Sequence, residues 1–255
     1  MEVHHPHHPT HKKKWSEYIT EFVMLFAAVT LGFFAENVRE HQVIEHKTHQ
    51  NLQSVILDLK KDSVLIHERL NEYREASIML EKLNKLYIKY QVHKIAKNEY
   101  LDSALEMGYE LRFGTSFYIN NSSYKNTIAS GSFSNISSVE LKRTISDYYE
   151  VYGAKLNDNN KILDDVVEYY SLNTFPLPGG RMIAYTNEKL TKEVMFLKDF
   201  FKSNELYSGS LLNKNFIIYN QKAKDRVDLY FGLMTVFNEK NLELIHLLSS
   251  ELKEN

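Results

Sequence analysis

The run from Phe22 to Ala35 holds no charged residue and no proline, so it must end either in a protein core or in lipid. Alone it is shorter than the roughly 20 residues that cross a bilayer. Carried back through Trp15, Tyr18 and Ile19 it reaches that length, though it then takes in Glu17 and Glu21. Trp15 and Tyr18 are amphipathic rings of the kind that sit among lipid headgroups, and Lys12, Lys13 and Lys14 lie just outside them. Three readings compete. A core helix of a soluble protein would need the rest of the chain to cover the run. A cleaved signal peptide would need a small residue where Phe33 precedes a cut after Ala35. An uncleaved signal anchor needs neither, and the residues favour it.

Orientation follows from the flanks. Three lysines stand before the segment, while Glu36, Asn37, Val38, Arg39 and Glu40 follow its apolar part. The excess of positive charge on the N-terminal side places that side in the cytoplasm. The expected organisation is a cytoplasmic His-rich tail over 1–14, a transmembrane anchor over 15–38, and an extracytoplasmic, periplasmic helical domain over 39–255. The tail histidines (His4, His5, His7, His8 and His11) have no carboxylate or thiol beside them to fix a metal geometry, and they read as a polar tail.

The body reads as helical because little interrupts it. In 255 residues there are four prolines and nine glycines, with none of either between Val38 and Gln91. Leu52, Leu59, Ile66, Tyr73, Leu80 and Tyr87 recur every seven residues, with Ile56 and Leu70 in alternate turns. Ser63, Ser77 and Asn84 fill the other alternate positions, which argues for a long helix in a bundle over a strict coiled coil. The anchor is expected to continue into this helix as a rigid stalk. A shorter helix is expected over Asn98–Arg112, and another capped by Asn120 or Asn121 and ended by Gly131. Ser137 and Glu140 have capping-box spacing and should open a helix burying Leu141, Ile145, Tyr148, Tyr149 and Tyr152. Gly153 and Asn157 to Asn160 are expected to bend it before Ile162, Leu163, Val166, Val167, Tyr169 and Tyr170 resume the pattern. Phe175 to Arg181 is a Pro/Gly connector, followed by a helix over Asn187–Ser203 and a last long one over Leu211–Leu252 carrying Phe216, Ile217, Tyr230, Leu233, Val236, Phe237, Leu244 and Leu247. No alternating strand pattern occurs, and the fold class is all-α: an N-terminal transmembrane helix continuing into a long-helix bundle.

Chemistry is harder to find. The chain has no cysteine, which excludes disulfides and thiolate catalysis, and its formal net charge of −2 gives no reason to expect a nucleic acid partner. Glu243 and His246 have the Glu-x-x-His spacing of di-iron bundles, but such a site needs two of these motifs and two further carboxylates. His246, between Ile245 and Leu247, reads as structural. Asp164, Asp165 and Glu168 read as a solvated helix face, since a calcium loop spreads its ligands around a central glycine. Tyr148, Tyr149, Tyr169, Tyr170, Tyr185 and Tyr207 suit either a ligand cleft or aromatic packing between helices. No catalytic, metal-ligating or cofactor-binding residue is assigned.

The anchor does carry an interface. At about 100° per residue, Glu17, Glu21, Ala28, Gly32 and Arg39 share one stripe with Ala35 beside it, while Phe22, Val23, Phe26, Phe33 and Phe34 point the other way. Small residues let helices approach closely, and lipid offers a carboxylate no partner. Glu21, Ala28, Gly32, Ala35 and Glu36 are therefore the expected contacts with another membrane protein or a second copy of the chain.

One resemblance adds to this. Leu52, Leu57, Leu59 and Asp62 with Asp58 between them, and then Tyr124, Asn126, Ser130-Gly131, Ile136, Leu141, Ile145 and Tyr148-Tyr149, stand in an order that resembles a family of uncharacterised single-pass inner-membrane proteins common in Bacteroidota. The resemblance covers about the first two thirds of the chain. It implies membrane anchorage and a helical periplasmic body, and it brings no catalytic residues. The expected function is a non-enzymatic, membrane-anchored envelope protein, an accessory or scaffold subunit of an inner-membrane assembly. The alternative is a tethered periplasmic module that senses or binds a ligand.

Overall fold

The computed structural model describes residues 14–174 and 206–254. Among these the regular structure is helical and no strand forms. The first helix, α1, runs unbroken over Trp15–Gln91, 77 residues. At a rise of 1.5 Å per residue it is about 115 Å long. Gly32 is its only glycine and it contains no proline, so nothing inside it removes a rung of the hydrogen-bond ladder. It stops in a Schellman turn, with His93 at φ 58°, its N–H on the Tyr90 carbonyl at 3.0 Å, and the Lys94 N–H on Lys89 at 2.9 Å.

Three shorter helices follow: α2 over Lys97–Glu110, α3 over Ser122–Ala129 and α4 over Val139–Ser146. Asp147–Tyr152 is a π-turn that leads directly into α5, Gly153–Asn173. Beyond residue 205 come α6, Leu206–Leu212, and α7, Phe216–Glu254. The expected connector 175–181 and helix 187–203 lie outside the described residues.

Three long helices make the core. Leu59 of α1 lies beside Asn241 of α7 and Asn84 beside Gln221, so these helices are antiparallel. Asn160 and Tyr170 of α5 meet Tyr230 and Asn220 in the same descending order, so α5 also runs against α7 and along α1. Each presents a seam of alternating three- and four-residue steps. On α7 it is Phe216, Asn220, Ala223, Val227, Tyr230, Met234, Phe237, Asn241, Leu244 and Leu248, all buried. On α5 it is Leu156, Asn160, Leu163, Val167 and Tyr170, again all buried. On α1 the six heptad residues from Leu52 to Tyr87 are each at most 4% exposed.

Several expectations need correction. Ile56 and Asn84 are buried as expected, but Ser63 and Ser77 are only half-buried, and Val55, Asp62, Ala76 and Leu83 fill a further buried row. α1 packs on α7 and also on α3, so it buries a face broader than one heptad stripe. The cap of α4 is Ser138, whose hydroxyl accepts the Leu141 N–H at 3.1 Å; Ser137 instead reaches Glu251. Asn157–Asn160 is continuous α-helix, and the irregularity lies in the π-turn that leads into Gly153. The last helix is interrupted at 213–215, where the Asn213 side chain accepts the Asn215 N–H at 2.9 Å and starts α7 afresh at Phe216. Ile162, Tyr169 and Val236 are exposed rather than inward, since each falls one step off the three–four seam.

Candidate functional site

The apolar N-terminal segment is the first candidate. Its 18-residue window has a mean hydropathy of 1.8, and none of it is buried. Phe22, Phe26, Leu31, Phe33 and Phe34 all stand exposed, Phe33 by 77%. The hydroxyls in it are satisfied within the helix: Thr20 donates to the Ser16 carbonyl and Thr30 to that of Phe26, both at 2.8 Å. Glu21, Ala28, Gly32, Ala35 and Glu36 all lie on this exposed stretch of one helix. A Cβ at Gly32 would meet nothing within 4 Å. Glu36 pairs with Arg39 one turn on, at 2.9 Å for the Nε–H bond, so its charge is met within the helix.

The body leaves the small-residue stripe open. At about 100° per residue, Ala28 and Gly32 fall roughly opposite the Leu52–Tyr87 seam. Leu57 and Val64, exposed by 58% and 61%, lie on the same outer side as the stripe.

The second candidate sits where the body begins. Asp58 and Asp62, one turn apart on α1, are 8% and 2% exposed. The Ser123 N–H donates to Asp58 at 3.2 Å and the Asn120 N–H to Asp62 at 3.0 Å. Asn121 makes no side-chain cap; the Asn120 side chain accepts the Ser122 N–H at 3.3 Å, and Asp58 supplies from another helix the acceptor for the next N–H of α3. Burial pushes the Asp62 carboxyl up to about 6; the Asn120 N–H works against this and Asp58 adds to it. Toward the N-terminal end of α1, Asn51 donates to Ser130 at 2.9 Å and Ser132 at 2.8 Å, and it accepts from Asn126 at 3.1 Å. Tyr124 of α3 stacks on Tyr149 with centroids 4.2 Å apart. Segments far apart in sequence thus meet along Asn51–Asp62, about three turns of α1.

A ladder of asparagine–tyrosine pairs crosses the core between α7 and the π-turn–α5 segment. Asn241 donates to the Tyr148 hydroxyl at 2.9 Å and to the Leu59 carbonyl at 3.2 Å. Tyr230 donates to Asn160, whose amide donates to the Phe117 carbonyl at 2.7 Å. Tyr170 donates to Asn220 at 2.6 Å, and Asn220 donates to the Leu80 carbonyl at 2.7 Å. Each asparagine ties its partner helix to main chain on a third element. Burial holds the Tyr148, Tyr149 and Tyr170 phenols far above the usual range, and that of Tyr230 up to about 12, so all four stay neutral.

The remaining candidates do not converge. Tyr148, Tyr149 and Tyr170 are core residues, Tyr169 is exposed, and Tyr185 and the Tyr207 side chain lie outside the described residues. A cleft of about 230 Å³ opens beside Thr115, Ser116, Tyr118 and Asp164, where Ser116 donates to Asp164 at 2.7 Å. That is below the few hundred Å³ of a typical ligand pocket, roughly 300–1,000 Å³. Glu243 accepts from Lys240 at 2.7 Å, and His246 is exposed, not packed between its apolar neighbours. Among the described residues no three His, Asp or Glu side chains come together as metal ligands would. No protein family, curated protein or solved structure matches this chain.

The buried asparagines escaped the sequence reading. The signal for them was present, since Asn160, Asn220 and Asn241 each fall on a three–four seam position flanked by apolar residues.

Proposed function

We propose that the chain is a non-enzymatic envelope protein, anchored in the inner membrane by residues 15–38 with its N-terminus cytoplasmic, and that it serves as an accessory or scaffold subunit of a membrane assembly. One observation carries this reading: a long apolar segment, wholly exposed, lies on the same unbroken helix as a packed body. Phe22, Val23, Met24, Leu25, Phe26, Val29, Leu31, Phe33 and Phe34 are all exposed. At roughly 1.5–3 kcal/mol per large side chain withheld from water, these represent on the order of 15–25 kcal/mol. That exceeds the net stability of a typical domain, about 5–15 kcal/mol, and among the described residues nothing covers the segment, which favours a cover of lipid and a partner. Lipid suits the phenylalanine face, and a partner helix suits Ala28, Gly32 and Ala35. The resemblance to single-pass inner-membrane proteins of Bacteroidota supports the same reading.

Two measurements test it. A reporter active only in the periplasm should work when fused after Asn255 and fail when fused at Met1; the reverse would overturn the orientation. Purification from native membranes in mild detergent should yield a complex or an oligomer, and a clean monomer without partners would overturn the subunit role.

A further inference from the structure

Asp58 and Asp62 present an unusual electrostatic arrangement. They occupy one buried face of α1, a single turn apart, and each lends an oxygen to a backbone N–H at the entry to α3. Among the described residues, no lysine, arginine or histidine forms an ion pair with either. The Tyr149 hydroxyl is buried without a hydrogen-bond partner, on a side chain only 6% exposed. The charged groups acting on it most strongly are Asp62 and then Asp58. Two carboxylates and one unpaired phenol therefore share a site with no counter-cation. α7 presents there the neutral Asn241, the π-turn presents Tyr148 and Tyr149, and α3 presents Tyr124 stacked on Tyr149.

We propose that Asp62, with Asp58 one turn away on the same buried face, is a proton-binding latch: a proton taken up by Asp62 fastens the 120–123 segment, and with it α3, onto α1, and its loss loosens that grip. Two effects oppose each other. Ionised carboxylates accept the Ser123 and Asn120 N–H bonds more strongly. Ionisation also puts two like charges one turn apart in a dry site and calls for water there. The second effect wins at Asp62, whose carboxyl rises from 3.8 to about 6 despite its backbone bond. A carboxyl raised on folding is more stable folded when protonated. The grip is therefore fullest below about 3.8 and falls as the pH rises through about 6. Asn126, Ser130 and Ser132 sit at the far end of α3 and on the turn after it, where they bond Asn51, so the loosening reaches the part of the body nearest the apolar segment. The site answers to the pH on the side of the membrane where the body lies.

Hydrogen exchange on the full chain in detergent micelles, corrected for intrinsic exchange, tests this. Amides 122–130 should gain protection of roughly tenfold between pH 8 and pH 5, the part of the full span that a rise from 3.8 to about 6 places in that interval. Asp62→Asn keeps an oxygen for the Asn120 N–H and should make that protection independent of pH. Asp58→Asn removes the neighbouring charge and should move the midpoint down. Tyr149→Phe removes a phenol that makes no hydrogen bond and should leave the midpoint in place. Wild-type protection that does not change with pH would overturn the latch, as would a pH response surviving in Asp62→Asn. If Asp62→Asn does not fold, the downward midpoint shift of Asp58→Asn decides, and a midpoint equal to that of the wild type overturns the latch.

Discussion

Replacing Asn220 with leucine should cost the protein several kcal/mol, even though it puts an apolar side chain into an apolar seam. Asn220 is fully buried. It donates to the Leu80 carbonyl at 2.7 Å and to Asn84 at 2.8 Å, and it accepts from Tyr170 at 2.6 Å. Three such bonds are worth about 1 kcal/mol each net of water. The change also takes the Asn220 oxygen away from the buried Tyr170 hydroxyl, at about 1–3 kcal/mol. The Leu80 carbonyl keeps its helical bond, and Asn84 keeps its own bond to Gln221 at 2.7 Å, so neither is left wholly bare. Greater apolar burial returns roughly 1–2 kcal/mol. The balance is a loss of about 3 kcal/mol. At 2–4 °C per kcal/mol for a chain of this size, the melting point should fall by about 6–12 °C. Tyr170→Phe alone should cost about 1–2 kcal/mol, because it orphans only the Asn220 oxygen. Thermal melts of the detergent-solubilised protein, followed by far-UV circular dichroism, give both single values and that of the double variant. The double variant should be less destabilised than the sum by about 1–2 kcal/mol, the coupling of one shared bond. Buried polar groups in other proteins have been replaced by apolar ones without loss. If Asn220→Leu is neutral or stabilising here, or if the two changes simply add, the ladder does not hold the helices in register as argued.

Three further outcomes are expected. Gly114→Ala should lower stability by about 1–3 kcal/mol in the same melts, because its Cβ would lie 2.8 Å from the Tyr73 ring, whose hydroxyl bonds the Thr115 carbonyl at 2.7 Å. His93→Gly should raise stability by about 0.5–1 kcal/mol, since the left-handed residue that closes α1 has φ 58° and glycine adopts it without the Cβ penalty. Gly32→Ile should leave the melting point unchanged, because a Cβ there meets no other element among the described residues, yet it should break the native-membrane complex on size exclusion. Phe33→Leu should leave that complex intact, and the opposite pair of results would place the partner on the phenylalanine face.

Much of the architecture was legible in one dimension. A stretch without proline or glycine after Gly32 and a seven-residue apolar repeat were enough to specify α1, because helix continuity and facing are local properties of the backbone and side-chain period. Gly131, at φ 77°, ends the α3 region as its sequence context implied. That Ala28, Gly32 and Ala35 share one side of α1 follows from helical period alone. What only the tertiary structure decided concerns polar residues. Asn160, Asn220 and Asn241 look like surface residues until a facing tyrosine and a third element's carbonyl satisfy each of them. Asp58 and Asp62 look like a solvated helix face until α3, some 60 residues on, lays its unsatisfied amides against them. A buried polar group is tolerated only with a partner, and the partner is named by packing between distant segments rather than by any neighbour in the chain.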